Sequence, residues 1–137
     1  MHQFGWPVRV YHEDVDTMGV VYYGNYLKFY ERARTEYLRS VGFEQIDLMK
    51  ELNVMFVVKT VNLDYLRPAR YNDLLWVTSD VSSFKRSSFH FDQKIYKENE
   101  EGKVLNKATV IVTCVDTKKV KPCPIPEAIQ KKLKIVF

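Results

Sequence analysis

HEDVDTMGVVYYGNYLKFYERARTEYLRSVG, residues 12–42, holds an acidic loop, three glycines and the longest helical pattern of the chain in one run. From Tyr26 the apolar positions Tyr26, Phe29, Tyr30, Ala33, Tyr37 and Val41 recur three or four apart, as on one face of an α-helix. Gly42 offers the left-handed conformation on which helices commonly stop. The pattern predicts a helix over residues 23–42 with an apolar stripe wide enough for a sheet to wrap around.

Upstream, WPVRVYHE (6–13) sets Val8, Val10 and His12 against Arg9, Tyr11 and Glu13, a half-buried strand expected to end near Asp14. Downstream, EQIDLMKEL (44–52) reads as a short second helix, and VMFVVKTVNLDYL (54–66), dense in β-branched and aromatic residues, as a long strand. Pro68, Arg70, Asn72 and Asp73 form a turn, after which LLWVTSDVSSF (74–84) and SFHFDQKIYKE (88–98) alternate as strands. A hairpin at Asn99 to Gly102 leads into KVLNKATVIVTCVDT (103–117), a further strand. Pro122, Pro124 and Pro126 then bar regular sheet before a short helix, EAIQKKL (127–133). A strand, a long helix and then strands in series imply an α+β fold, an antiparallel sheet packed on one helix, in a single domain over residues 1–137. Such an open sheet leaves edge strands, so self-association is expected.

The 137 residues are 46% hydrophobic and 28% charged, enough for a core without disulfides or metal. No apolar run is long enough to span a membrane and no basic-then-apolar leader begins the chain, which predicts a soluble, cytoplasmic protein. Cys114 and Cys123 lack metal-ligand spacing and read as free thiols, with Cys114 in the core. The net charge of +4 sits at one end: Lys118, Lys119, Lys121, Lys131, Lys132 and Lys134 face only Glu127, so the body is near neutral. No aromatic–arginine interleaving accompanies these lysines, so a solvated basic end is expected and nucleic acid is not.

The acidic loop is where chemistry concentrates. Asp14 and Asp16 follow a strand end, and the N–H groups of Tyr23, Gly24 and Asn25 open the helix without intrahelical partners. Such donors, backed by the helix dipole, can polarise a carbonyl, while a nearby carboxylate attacks it or activates water. The same residues also suit a turn and a cap. Other readings fail on spacing: a calcium loop begun at Asp14 would need oxygen at Met18 and Glu at Asn25, and no second aspartic-protease motif exists. GxSxG, GxxxxGK[ST], GxGxxG and HExxH are all absent.

Tyr11-x-x-Asp14-x-Asp16-x-x-Gly19-x-Val21-Tyr22-x-x-x-Tyr26, followed by FYERARTEYL, resembles the 4-hydroxybenzoyl-CoA thioesterase family, closest to its bacterial acyl-CoA thioesterase branch associated with the Tol-Pal cluster. The resemblance runs on through VVKTVNLDYLRPARYNDLL to VTCVDTKKVKP. It implies a hot-dog fold, a curved antiparallel sheet around a central helix, and hydrolysis of an acyl-CoA thioester without metal or organic cofactor. It places the catalytic carboxylate on Asp16 and the oxyanion N–H on Tyr23, joined by Gly24. The branch often carries His after the first Tyr, where this chain has Tyr23, so only a backbone role carries over. The family also implies a homodimer or homotetramer with the site at the interface.

Lys85, Arg86, Ser87 and Ser88 lie between two strands, where relatives hold CoA phosphates; a polar turn is the other reading. Tyr26, Phe56 and Tyr65 are expected to line the acyl pocket. Glu31 and Glu36 on the helix are alternative carboxylates, against which Arg32 and Arg34 suggest surface pairing. His12 and His90 are expected to pack or face solvent. An enoyl-thioester hydratase would need a paired His that no position soon after Asp16 supplies. A non-catalytic module binding acyl-CoA or acyl carrier protein is the remaining alternative, and a carboxylate beside an anionic ligand argues against it.

Overall fold

Alternation of buried and exposed side chains sorts the strands onto one wrapped sheet, and the computed structural model describes it over residues 3–135. In chain order the elements are β1 (Phe4–Arg9), α1 (Tyr26–Ser40), α2 (Gln45–Glu51), β2 (Val54–Tyr65), β3 (Leu74–Ser82), β4 (Ser88–Lys97), β5 (Val104–Asp116), β6 (Lys121–Pro122) and α3 (Glu127–Ile135). Single 3-10 turns at His12–Asp14 and Tyr23–Asn25 flank the acidic loop. The sheet is antiparallel in the order β1-β3-β4-β5-β2, with β6 added beside β5. This is the hot-dog arrangement, α+β as expected.

Helix α1 buries Tyr26, Phe29, Tyr30, Ala33, Tyr37 and Leu38 against the sheet. Facing it, β4 turns in Phe89, Phe91, Gln93 and Ile95, and β5 turns in Ala108, Val110, Val112 and Cys114. Removing these surfaces from water is the main source of stability, about 1.5–3 kcal/mol per large apolar side chain. Val41, expected on the stripe, is only partly buried because the helix has ended at Ser40, and Leu38 takes the inner position. Gly42 closes the helix at φ +95°, as its sequence position suggested.

Two buried polar side chains, Asn106 and Gln93, lie under α1, and each bonds Tyr30. Tyr30 Oη donates to Asn106 Oδ1 at 2.7 Å, and burial pushes the Tyr30 phenol well above its ordinary range. Gln93 Nε2 donates to Tyr30 O and Ser79 Oγ, while its Oε1 accepts from Arg34. This corrects the expected pairing of the helix glutamates with Arg32 and Arg34. Arg34 turns inward to Gln93, and Glu36 pairs with Arg39 at 2.8 Å instead.

Strand one is also shorter than its alternation predicts. Pairing with β3 stops at Arg9; Val10 N–H goes to Asp73 O, and the backbone then coils into the His12–Asp14 turn. At the other side of the sheet β2 is an open edge whose Val57, Val58 and Val61 are exposed. A long edge strand bearing valines is what proteins avoid leaving uncovered. Lys118, Lys119, Lys121, Lys131 and Lys132 are exposed as expected; the Lys134 side chain lies outside the described residues.

Candidate active site

The acidic loop folds as a small hairpin pinned to the start of α1. Val15 bridges Val21, Val20 bridges Arg70, and Val21 N–H donates to Ala69 O at 2.8 Å. At its tip Asp16 N–H donates to Val20 O, Gly19 N–H to Asp16 O, and Met18 N–H to Asp16 Oδ1 at 2.8 Å. The turn needs φ +77° at Gly19, where an added Cβ would meet nothing within 4 Å, so conformation and not space requires glycine. Asp16 is exposed, with one oxygen oriented by its own turn and the other free of protein partners among the described residues.

Asp14 is the buried member of the pair, at 2% exposure. Its Oδ2 accepts Tyr11 N–H at 2.8 Å, and its Oδ1 is buried without a partner among the described residues. Its carbonyl oxygen accepts both Tyr22 N–H at 3.0 Å and Asn25 Nδ2 at 2.9 Å. Asp14 thereby ties the hairpin to the helix start. The sequence pattern offers Asn25 only as a backbone donor, whereas its side-chain amide makes this tie. The spacing Tyr11-x-x-Asp14, a carboxylate returning to the N–H three residues back, was the available signal for Asp14.

At the helix start one expectation is corrected: Asn25 N–H is not free, since it donates to Tyr22 O at 2.8 Å. Tyr23 and Gly24 N–H have no acceptor among the described residues. The Asn25 N–H bond and one more orient these peptides, since Tyr23 O accepts the Tyr65 hydroxyl at 3.0 Å.

Tyr26 and Tyr65 meet edge to face, ring centres 5.5 Å apart, in a cleft of about 240 Å³ that Tyr23, Val21 and Pro68 also line. Tyr26 Oη accepts Ala69 N–H, and burial raises the phenols of both Tyr26 and Tyr65, so both are neutral near pH 7. Phe56 lies elsewhere. It pairs with Cys114 in the sheet and packs its ring on Phe89, whereas Tyr65 pairs with Asn106.

Lys85–Ser88 also sit at the Phe56 end. Ser88 opposes Thr113, Ser87 O accepts Cys114 N–H at 2.7 Å, and Arg86 O accepts Ile125 N–H at 2.9 Å. Thr113 and Asn106 are seven residues apart on β5, roughly 23 Å at strand rise. Within one chain, then, Tyr23, Tyr26 and Tyr65 line one cleft beside Gly24, and the Asp16 hairpin is tied through Asp14 O to the start of the helix; Phe56, Lys85, Arg86, Ser87 and Ser88 lie at the other end of β5. His12 is exposed and stacks on Tyr71, ring centres 4.0 Å apart; His90 is half-buried on β4.

The model of the thioesterase-like superfamily matches residues 10–133. The acyl-CoA thioesterase YbgC of Haemophilus influenzae is 46% identical over 127 residues, 93% of this chain and 91% of that protein. The acyl-CoA thioester hydrolase YbgC of Escherichia coli is 47% identical over 131 residues, 96% of each chain. The crystal structure of a probable thioesterase from Bartonella henselae superposes with a TM-score of 0.84 at 30% identity, covering 91% of this chain and all of that one.

Proposed function

Since the chain belongs to the thioesterase-like superfamily, we propose that Asp16 and the backbone N–H groups of Tyr23 and Gly24 form its hydrolytic centre. The protein is an acyl-CoA thioester hydrolase, releasing a carboxylic acid and free CoA. In the proposed mechanism the thioester carbonyl docks on the two free N–H groups, which stabilise negative charge as it develops on oxygen. The unengaged oxygen of Asp16 attacks the carbonyl carbon or takes a proton from the attacking water; both routes need the carboxylate ionised. The acyl group lies against Tyr26 and Tyr65, whose neutral rings make an apolar wall.

One observation carries this reading: Asp14 O accepts from both Tyr22 and Asn25, tying the Asp16 hairpin to the residues on either side of Tyr23 and Gly24, whose N–H groups lack acceptors among the described residues. The test is Asp16→Asn, assayed by thiol release from acyl-CoA. The rate should fall on the order of 10²–10⁴-fold with the melting temperature kept. Retention of more than about a tenth of the activity would move the carboxylate role elsewhere.

The enzyme is further proposed to work as a homo-oligomer, one domain per chain. Two-fold pairing of β2 with β2 of a second copy would cover Val57, Val58 and Val61 and run the two strands antiparallel. That geometry sets the Tyr65 end of one strand toward the Val54 end of the other. Lys85, Arg86, Ser87 and Ser88 of the second copy, together with its Phe56, would then serve the Asp16 site of the first, the basic residues holding the CoA phosphates. Two free thiols suit a reducing, cytoplasmic setting. An acyl carrier protein presents the same thioester, and assays with both carriers would separate them.

A further inference from the structure

Cys114 and Cys123 stand opposite each other where the chain returns to β5. The ladder pairs Val115 with Pro122 and Asp116 with Lys121, and Cys123 N–H continues it by donating to Cys114 O at 2.9 Å. The two Sγ atoms are 3.6 Å apart and both thiols are free. Residues directly opposed in an antiparallel pair have Cα atoms about 4.5–5.5 Å apart, within the disulfide range, so bond formation asks for roughly 1.5 Å of side-chain movement and no strand shift.

The pair also lies beneath the Lys85–Ser88 loop. Cys114 N–H donates to Ser87 O, and Ile125, two residues after Cys123, donates to Arg86 O. One strand residue therefore bonds both the loop, through its N–H, and the Cys123 segment, through its C=O.

We propose that Cys114 and Cys123 form a reversible disulfide with low-molecular-weight disulfides, and that this bond weakens acyl-CoA binding through the Arg86–Ser87 backbone. Cys123, the partly exposed thiol, attacks one sulfur of the small disulfide as thiolate, giving a mixed disulfide and one released thiolate. Cys114 loses its proton to solvent and attacks Cys123 Sγ, expelling the second small thiolate, which takes up a proton. The protein dithiol is oxidised by two electrons, and the small disulfide is reduced to two thiols. Burial and the neighbouring thiol push Cys114 up to about 12, so this second step quickens as pH rises toward that value. The effect on catalysis rests on the proposed role of the Lys85–Ser88 loop; the bond itself does not.

The test uses the full chain with glutathione disulfide. Intact mass should fall by about 2 Da, recover on reduction, and stay unchanged in Cys123→Ala. Two alkylatable thiols after treatment, or only a persistent glutathione adduct, would overturn the proposal. The oxidised enzyme should show a KM for acyl-CoA raised about threefold or more, kcat kept, and no change on a truncated thioester lacking the nucleotide. An internal bond with unaltered KM would overturn the coupling. The loop's own role is read separately, from Lys85→Ala with Arg86→Ala in the reduced enzyme.

Discussion

Tyr65 fixes the direction of a donor that it does not itself supply. Its hydroxyl holds Tyr23 O at 3.0 Å, and a trans peptide carries its N–H opposite its C=O, so that bond aims Gly24 N–H. Tyr65→Phe removes one oxygen and leaves the ring on Tyr26. We expect kcat to fall about 5–10-fold, the equivalent of one net hydrogen bond, with KM little changed. Steady-state kinetics showing a rise in KM alone would make Tyr65 a wall of the acyl cleft and nothing more. Asp14 calls for the opposite kind of readout. Asp14→Asn puts an amide where a buried oxygen has no partner among the described residues, and should cost about 1–3 kcal/mol of stability, read by chemical denaturation. An unchanged midpoint would mean that the site is wetter than its 2% exposure implies.

The elements themselves were mostly legible because their signals are periodic. Phe89, Phe91, Gln93 and Ile95 alternate and are all buried, and the Tyr26-to-Tyr37 stripe is the buried face of α1. Where the structure departs from the sequence pattern, the deciding partner is distant in sequence. Val8, Val10 and His12 keep the strand period, yet the strand ends because Asp73, not another strand residue, receives Val10 N–H. Arg34 looks like a surface residue among glutamates until β4 brings Gln93 beneath it. Asp14 and Asp16 are the same residue type two positions apart, and only the Tyr11 and Asn25 contacts decide that the first is buried. At this scale β2 makes its own prediction. Val61→Lys sets a charge on the exposed edge, where it costs the monomer little, and should shift light-scattering mass from a multiple of 16.2 kDa toward that value. A wild-type chain that is already monomeric at micromolar concentration would remove the edge-pairing proposal.

At the scale of the whole molecule, the hot-dog fold holds the proposed hydrolytic centre near the Asn106 end of β5 and the basic loop near Thr113, seven strand residues away. In the proposed dimer a second copy turned by a two-fold brings its basic loop to the Asp16 end of the first. The most direct measurement is subunit complementation. Asp16→Asn chains and chains carrying both Lys85→Ala and Arg86→Ala are co-expressed with different tags, and the mixed oligomer is isolated and assayed on acyl-CoA. In a composite site the mixed species regains one intact centre, Asp16 from the second chain and the basic loop from the first, so thiol release should show the wild-type KM at about half the wild-type kcat. A mixed oligomer that shows only the raised KM of the Lys85/Arg86 parent would contradict the account, because each chain would then be using its own loop or none.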